Sequence, residues 1–558
     1  MRDFLLSVGY ERWILPTLLF LPAIGAILTW LHGIYEFRQG RTGRDVDAFA
    51  RYLPFGIFIV EFALSLGMWW AYDPAGAPFQ FTTTWNWIPD WGVHMSLGID
   101  GISLFLVLMV TFLLPIAVLS SWTSIERAVH SYHALFLVLT TGMIGVFLAR
   151  DLVMFYFFWE LVLIPMYLII GVWGGPRRLY AGTKFFLYTF IGSLFMLVAI
   201  VYLGYKTGEA MFAAGVQGTI HPNFLFENVM QYLQLTGKES LWLFLAFFAA
   251  FAVKVPIFPF HTWLPDAHVE APTEGSVDLA AILLKMGTYG FMRVVLPLFP
   301  GMVVSSIVRT VVLGLAVIGI IYAALVALVQ DDFKKLVAYS SVSHMGFVIL
   351  GIFALSTEAM QGAMMVQLAH GLSSAALFLL IGMVYDRRHT RMLAAYGGLA
   401  RVMPLFGAFL MVATLSSIAV PGTFGFVGEF LVLLGSFERF PVLTVVATLG
   451  VILSACYMLW AIQRILFNPL DKDENRRLPD LNWREAGMLL PLSALIVLMG
   501  VYPAPFLKRM EPSLTRLVRQ VESGAVRQAA LEAALERGAT AGLPPASTAA
   551  AALAAGGH

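Results

Sequence analysis

Long apolar runs alternate with short polar or Gly/Pro-containing links along most of the chain. The hydrocarbon core of a bilayer is about 30 Å thick, so each helical crossing needs roughly 20 apolar residues. The pattern therefore predicts an all-α polytopic membrane protein with about fourteen transmembrane helices. These helices, called spans 1 to 14, are expected at 14–32, 53–71, 101–122, 132–149, 152–172, 181–204, 239–258, 273–298, 306–329, 336–355, 362–385, 404–436, 442–466 and 485–504.

The composition agrees with a membrane protein. Of the 558 residues, 59% are hydrophobic and 12% are charged, and the mean hydropathy is +0.80. Soluble domains carry roughly 25% charged residues. The net charge of +1 gives no electrostatic basis for binding nucleic acid. The single cysteine, Cys456, excludes a disulfide framework and an all-cysteine iron–sulfur site built from this chain alone, and its apolar surroundings predict a small buried side chain.

Lysine and arginine residues concentrate in the odd-numbered links. The odd links hold about 18 of them and the even links about 6. Basic links remain in the cytoplasm, so we expect both termini on the non-cytoplasmic side. The seventh link, 259–272, contains neither residue type and does not inform the orientation. No cleavable signal is recognised, so span 1 is expected to be retained.

Three segments differ from this pattern. The second link, 72–100, contains Trp85, Trp87 and Trp91 and is expected to lie as a loop at the membrane interface. Residues 511–537 have helical periodicity with mixed charge and predict a surface helix. Residues 538–558 are rich in Ala, Gly and Pro without a core-forming pattern, which predicts a disordered tail.

Span 7 is interrupted by prolines beside a lysine. Pro256 and Pro259 follow Lys254, and a proline inside a helix removes a backbone donor and breaks or kinks the helix. In lipid such a break needs protein or a hydrated cavity to satisfy the freed carbonyl groups. The segment 252–256 has a counterpart at 417–421 in span 12, five spans later. An odd offset inverts the second half across the membrane, as in inverted-repeat transporters.

Among the ionisable side chains that fall within predicted spans, six are candidates for proton transfer. A charge at the bilayer centre costs at least about 2.5 kcal/mol even on insertion scales, so each one needs a reason. A buried Glu/Lys pair that separates acts as a protonation switch, and histidine titrates near neutrality. The pattern therefore predicts a proton path through Glu160, Lys254, Lys285, Glu429, His344 and His370.

The alternative interpretation of these charges is structural. The same groups would hold helices together as static ion pairs, and the two histidines would hydrogen-bond a neighbouring helix. Lys184 lies nearer a span end and is expected to extend toward the interface. No role is predicted for Asp278.

Several familiar motifs are missing from the sequence. It has no GxxxxGK[ST] phosphate-binding loop, which argues against nucleotide-driven transport by this chain. It also lacks a dinucleotide-binding fingerprint, a paired-histidine haem arrangement and a cysteine cluster. Any redox chemistry is therefore expected in partner chains.

At these residues the chain resembles the antiporter-type membrane subunits of respiratory complex I, the proton-translocating NADH:quinone oxidoreductase, and within them the chain M group. The resemblance extends from about residue 95 to about residue 505. The matching stretches include Leu97-Gly-Ile-Asp-Gly-Ile-Ser-Leu104, Phe157-Phe-Trp-Glu-Leu-Val-Leu-Ile-Pro165, Lys254-Val-Pro-Ile-Phe-Pro-Phe-His-Thr-Trp-Leu-Pro-Asp-Ala-His268, Leu283-Leu-Lys-Met-Gly287, Ser341-Val-Ser-His-Met-Gly346 and Pro421-Gly-Thr-Phe-Gly-Phe-Val-Gly-Glu-Phe430.

The resemblance implies fourteen spans with two inverted five-helix repeats. Proton transfer is then assigned to the positions matching Glu160, Lys254, Lys285 and Glu429, with His344 and His370 in a hydrated relay. The implied domains are residues 1–131 with spans 1–3 and the interfacial loop, 132–298 with the first repeat, 306–466 with the second, 485–504 with span 14, and 505–558 with the surface helix and tail.

The resemblance also implies partners and a location. This chain would contain no cofactor, and FMN, iron–sulfur clusters and quinone would belong to partner subunits. The expected partners are the other membrane-arm subunits of complex I, including neighbouring antiporter-like chains, within the lipid bilayer of a bacterial inner membrane. Two other functions remain open: a subunit of a multi-subunit Na⁺/H⁺ antiporter, and a structural membrane scaffold with static ion pairs.

Overall fold

The computed structural model describes residues 1–40, 44–216 and 221–536, so the predicted tail at 538–558 lies outside the described residues. Within them, twelve helices are long and apolar enough to cross a membrane, which confirms the all-α membrane fold. They are Tyr10–Arg38, Asp47–Ala71, Ser103–Ser121, Val129–Leu148, Leu152–Trp173, Arg178–Ala213, Thr273–Leu298, Ser306–Leu328, Phe333–Ala354, Thr357–Arg388, Pro441–Phe467 and Trp483–Val501, which correspond to spans 1–6, 8–11, 13 and 14.

Span 7 is broken where the prolines predict a break. Its first helix, Gly237–Lys254, begins with a capping box formed by Thr236 and Glu239 and ends two residues before Pro256. A second helix, Trp263–Glu270, follows the break. The prediction of 259–272 as a link was therefore wrong, because most of this segment is buried and half of it is helical.

The freed backbone groups at this break find partners inside the protein. The indole Nε1 of Trp263 donates to the carbonyl of Val253 at 2.8 Å. The amide of Ile257 donates to the carbonyl of Ala252 at 2.9 Å. Irregular backbone at membrane depth therefore meets the requirement that polar groups be satisfied internally.

Span 12 is broken in the corresponding place. Its two helices are Pro404–Ser417 and Phe424–Phe437. The connection includes Gly422 at φ +90°, a conformation that side chains other than glycine rarely adopt. With both broken elements counted, the described residues are consistent with fourteen spans. Breaks at matching positions are also consistent with the two predicted repeats.

Span 8 is irregular along its length. It comprises helix Thr273–Asp278, a π-helical turn at Leu279–Leu283, helix Leu284–Gly290, a second π-helical turn at Phe291–Val295, and helix Leu296–Leu298. Single π-helical turns inside α-helices occur frequently at functional sites. Lys285 lies directly after the first of these turns.

The second link contains more structure than the predicted loop. Strands β1 (Gln80–Ile88) and β2 (Val93–Ile99) form an antiparallel hairpin in which Thr83 pairs with Leu97. The run of threonine and tryptophan in β1 favours a strand. Trp85, Trp87 and Trp91 are exposed, and interfacial tryptophans need such exposure.

A long amphipathic helix, Ala504–Glu536, follows span 14, so the predicted surface helix is confirmed but begins earlier than expected. The remaining short helices are Arg2–Ser7, Phe226–Tyr232, Pro300–Val304, Leu399–Val402 and Asp473–Arg476, with 3₁₀ turns at Pro89–Trp91 and Leu393–Ala395. Cys456 is exposed on span 13, so the prediction of a buried side chain was wrong. An apolar helix face directed toward lipid has the same composition as one directed toward a core.

Candidate functional site

Spans 8, 10 and 11 form the centre of the molecule. Between 94% and 100% of their most apolar stretches are buried, against 33% for the corresponding stretches of spans 2, 13 and 14. These three central helices carry Lys285, His344 and His370. The most enclosed helices therefore contain the ionisable groups that the sequence singled out.

Lys285 and His370 are in direct contact. The ammonium Nζ of Lys285 lies 2.8 Å from the imidazole Nδ1 of His370 and also donates to the carbonyl of Ala280. Both side chains are buried. Ala280 lies in the π-helical turn, where the regular hydrogen-bond register of span 8 is altered. The imidazole of His370 is therefore a neighbouring group that can accept a proton from Lys285.

His344 lies between His370 and span 12. Its ring centroid lies 5.7 Å from that of His370. Its Nδ1 lies 2.9 Å from Oε1 of Glu429, and its Nε2 lies 3.4 Å from Oγ of Ser417 at the break of span 12. A cavity of about 10 Å³ touches both histidines and Glu429, about the volume that one water molecule requires.

Lys254 and Glu160 form the other end of the predicted path. Lys254 is buried at the last residue of the first helix of span 7, and its Nζ lies 5.4 Å from the ring centroid of Trp159. A cation at a helix C-terminus is favoured by the helix dipole. Glu160 is half-buried, and its Oε1 has no hydrogen-bond partner in the described part of the chain.

Glu160 and Lys254 are neighbours without a close ion pair. They interact electrostatically, but among the described residues no contact within the 4.0 Å ion-pair limit joins them. Glu160 lies at the end of helix Leu152–Leu161, and a second helix of span 5 begins at Leu163. The fold therefore places Glu160 and Lys254 near each other, but their side chains do not form a close ion pair.

A glycine allows the two lysine-bearing helices to approach each other. A Cβ atom added at Gly287 of span 8 would lie 2.6 Å from Cγ2 of Val255 and 3.2 Å from Cβ of Lys254. Contacts below 3.0 Å require the neighbouring atoms to move. Spans 7 and 8 thus pack closely at the break, although no direct hydrogen bond between Lys254 and Lys285 occurs in the described chain.

Lys184 is part of an ion pair. Its Nζ lies 2.7 Å from Oδ2 of Asp266 in the second helix of span 7. The sequence did not predict this partner, and the expectation that Lys184 extends toward the interface stays a prediction. Asp266 had been assigned to a link, so the sequence offered no partner for Lys184 within the membrane.

The sequence analysis missed three buried ionisable residues near the relay. His268, Glu274 and Lys334 are all buried. The ring of His268 stacks on Phe378 at a centroid distance of 4.7 Å. His268 lies in the segment read as a link, Glu274 lies two residues after that segment, and Lys334 lies in the ninth link, where a charge is ordinary. The signal that could have found the first two is the absence of Lys and Arg from 259–272, which sets this segment apart from the other odd-numbered links.

Residues 149–454 match the family described as "NADH:quinone oxidoreductase/Mrp antiporter, TM". One relative is NADH-quinone oxidoreductase subunit M of Rhodobacter capsulatus. It is 47% identical over 479 residues, which cover 86% of this chain and 92% of the relative.

The fold is similar to chains of two solved assemblies. For a chain in the structure "Respiratory complex I from Thermus thermophilus with bound NADH", the TM-score is 0.78 at 32% identity, with coverage of 91% of this chain and 99% of that chain. For a chain of the Mrp complex from Dietzia sp. DQ12-45-1b, the TM-score is 0.74 at 18% identity, with coverage of 92% and 99%. The second likeness concerns the fold alone. With the family match and the close relatives, the predicted resemblance is confirmed: the chain belongs to the NADH:quinone oxidoreductase/Mrp antiporter transmembrane family.

Proposed function

We propose that this chain is a proton-translocating subunit in the membrane arm of an NADH:quinone oxidoreductase. The observation that carries the proposal is the row of buried groups from Lys285 through His370 and His344 to Glu429, in which the outer two links are contacts of 2.8 and 2.9 Å and the two imidazole rings lie 5.7 Å apart. Such a row of buried acids, bases and imidazoles lets a proton move without leaving an unpaired charge in the interior. The relative named NADH-quinone oxidoreductase subunit M favours the same function.

Each group in the row has a distinct chemical role. Glu160 and Lys254 act as the switch, because closing or opening their ion pair changes how readily Lys254 releases a proton. Lys285 receives the proton and passes it to His370 across 2.8 Å. A water molecule in the cavity that touches both imidazoles carries the proton from His370 to His344, and His344 transfers it to Glu429, 2.9 Å away.

The energy for this movement comes from outside the chain. Moving one charge against 100 mV costs about 2.3 kcal/mol. Quinone reduction in partner subunits supplies this energy, and FMN and iron–sulfur clusters also belong to those partners. This chain contributes the proton path and holds no redox cofactor of its own.

The partners are other membrane-arm subunits, including neighbouring antiporter-like chains, in a bacterial inner membrane. Glu160 lies at a half-buried position in this chain, where a neighbouring subunit would complete its surroundings. Both termini lie on the non-cytoplasmic side, which the distribution of basic residues between odd and even links supports.

A second candidate function is a subunit of a Na⁺/H⁺ antiporter. The likeness to the Mrp complex chain favours it, but at 18% identity this likeness is limited to the fold. Identification of the chains retained after mild detergent extraction distinguishes the two functions. NADH-oxidising or quinone-reducing partners support the first function, and their replacement by antiporter chains supports the second.

The relay is tested by Lys254→Met in the assembled enzyme. Methionine fills a similar volume but carries no proton, so we expect proton pumping to fall at least about ten-fold, with a parallel loss of coupled NADH:quinone turnover. Pumping is measured in sealed membrane vesicles with a pH-sensitive dye.

The matched control is Lys508→Met, which changes an exposed lysine in the C-terminal helix and should leave pumping unchanged. If the Lys254 variant pumps at the wild-type rate, the buried charges are static ion pairs and the chain is a structural scaffold.

A further inference from the structure

The beginning of span 8 carries two acidic side chains that the relay above does not use. Glu274 and Asp278 lie four residues apart in helix Thr273–Asp278, and both are fully buried. Residues at this spacing share one face of a helix. Each carboxyl group also lies close enough to feel the charge of the other. Span 8 therefore places two carboxyl groups together inside the protein.

Neither carboxyl group is satisfied by its surroundings. Among the described residues, both oxygens of Asp278 and Oε2 of Glu274 have no hydrogen-bond partner. Oε1 of Glu274 receives one long hydrogen bond, 3.5 Å, from Oγ of Ser124. An ionised carboxylate is expensive to bury without partners, and two that share a site are not readily ionised together. The arrangement favours a pair that retains a proton.

Among the described residues, the helices packed around the pair place no cation or hydrogen-bond donor close enough to stabilise both carboxyl groups in their ionised form. Lys334 faces it from span 10, but its Nζ donates to the carbonyl of Ala271 at 2.7 Å. Tyr132 faces Glu274 from span 4 without a hydrogen bond of ordinary length in the described chain. Asp386 adds a further negative charge from the end of span 11.

Glu274 is connected to the molecular surface through one side chain. Ser124, whose hydroxyl group reaches Glu274, is exposed in the third link. This link is one of the odd-numbered links that the positive-inside rule assigns to the cytoplasm. Protons from that side therefore reach Glu274 without crossing the apolar core.

On the inner side, a second buried base, His268, lies in the helix that precedes span 8, and its backbone carbonyl accepts a hydrogen bond of 3.0 Å from Oγ of Ser276, which lies between Glu274 and Asp278 in the sequence. Both ring nitrogens of His268 lack a hydrogen-bond partner in the described ranges. Its ring feels the charges of both Lys334 and Lys285. Asp278 and Lys285 are seven residues apart on the same helix, a distance of about 10 Å along its axis.

We propose that Glu274 and Asp278 form a proton-loading pair at the predicted cytoplasmic end of span 8, which passes protons through His268 to Lys285. After Lys285 has passed its proton to His370 and become a neutral amine, the pair gives one proton to one imidazole nitrogen of His268, and the other imidazole nitrogen gives its proton to that amine. The pair then takes a new proton from solvent, so charge balances over the cycle. The inference rests on the proposed function and adds an entry branch to it.

The test uses Glu274→Gln, Asp278→Asn and the double variant in the assembled enzyme. We expect each single variant to lower proton pumping at least about ten-fold. The double variant should be no worse than either single variant, because the two carboxyl groups share one proton. Asp278→Glu should retain most of the pumping, and infrared spectra of each neutral variant should lack the band of one protonated carboxyl group.

The control is Asp331→Asn, an exposed carboxylate in the ninth link, which should have no effect. Wild-type pumping and an unchanged infrared spectrum in both single variants would overturn the inference, even where Lys254→Met abolishes pumping. If Lys254→Met also pumps normally, the proposed function itself fails. If Asp278→Asn does not assemble, the infrared spectrum of Glu274→Gln decides, and an unchanged carboxyl band overturns the inference.

Discussion

At the residue scale, the side chain that contacts the central lysine, Lys285, is a base and not an acid. The ammonium group of Lys285 contacts an imidazole and a backbone carbonyl, and in the described chain no carboxylate lies within 4.0 Å of it. A close carboxylate would hold the lysine in its charged form. An imidazole nitrogen at 2.8 Å is a group that can accept a proton from the lysine. The contacts of Lys285 therefore favour transfer over a static ion pair.

The proposed transfer depends on His370. We expect His370→Ala to lower proton pumping at least about ten-fold, because the ring is the only described contact between Lys285 and His344. Pumping in vesicles and assembly of the complex on native gels measure the effect. His221→Ala, at an exposed position, is the control. Normal pumping in an assembled His370 variant contradicts the relay order.

At the element scale, the break of span 7 is stabilised by its own second helix. Trp263 is buried and donates its indole N–H to the carbonyl of Val253, which the break leaves without a regular helical partner. The same ring packs against Phe185 at a centroid distance of 5.3 Å. The break is thus a defined structure rather than a loose joint.

Removing the indole donor tests this account. Trp263→Phe keeps an aromatic ring but leaves the carbonyl of Val253 unsatisfied, so we expect a loss of about 1–3 kcal/mol in stability. The temperature at which the assembled enzyme inactivates should fall accordingly. Trp242→Phe changes an exposed tryptophan on the same span and should not lower it. Equal inactivation temperatures for both variants would show that the hydrogen bond is unimportant.

The element boundaries also show where local reasoning fails. Proline geometry correctly predicted both broken helices. The segment after the first break was read as a link because it contains prolines and polar residues, yet Trp263–Glu270 is a buried helix. The β-hairpin in 72–100 was read as a loop because an isolated hairpin is weakly specified by its own sequence. In both cases packing against other elements decides the structure.

At the scale of the whole molecule, polar groups lie at the centre and apolar side chains lie outside. Span 11 is buried throughout its most apolar stretch, whereas span 6 exposes large apolar side chains such as Phe195 and Val198. This arrangement suits a protein surrounded by lipid, because hydrocarbon cannot satisfy polar groups. A central proton path is compatible with it.

The orientation of the molecule is predicted from the links and is open to a direct test. We expect alkaline phosphatase fused after residue 536 to be active, because this enzyme needs the oxidising non-cytoplasmic side. A fusion within the ninth link should be inactive, and green fluorescent protein at the two sites should give the opposite result. An active fusion in the ninth link would reverse the proposed orientation.

The sequence alone predicted the approximate position of the spans, the two breaks and the candidate charges, and the described residues are consistent with its fourteen spans. These properties follow from apolar run length, proline geometry and the cost of a charge in lipid, all of which are local. Only the tertiary structure decided which charges meet. Lys285 and His370 are 85 residues apart, as are His344 and Glu429. Contacts between such distant residues depend on how the central helices pack. The periodicity of apolar residues along the chain does not predict that packing.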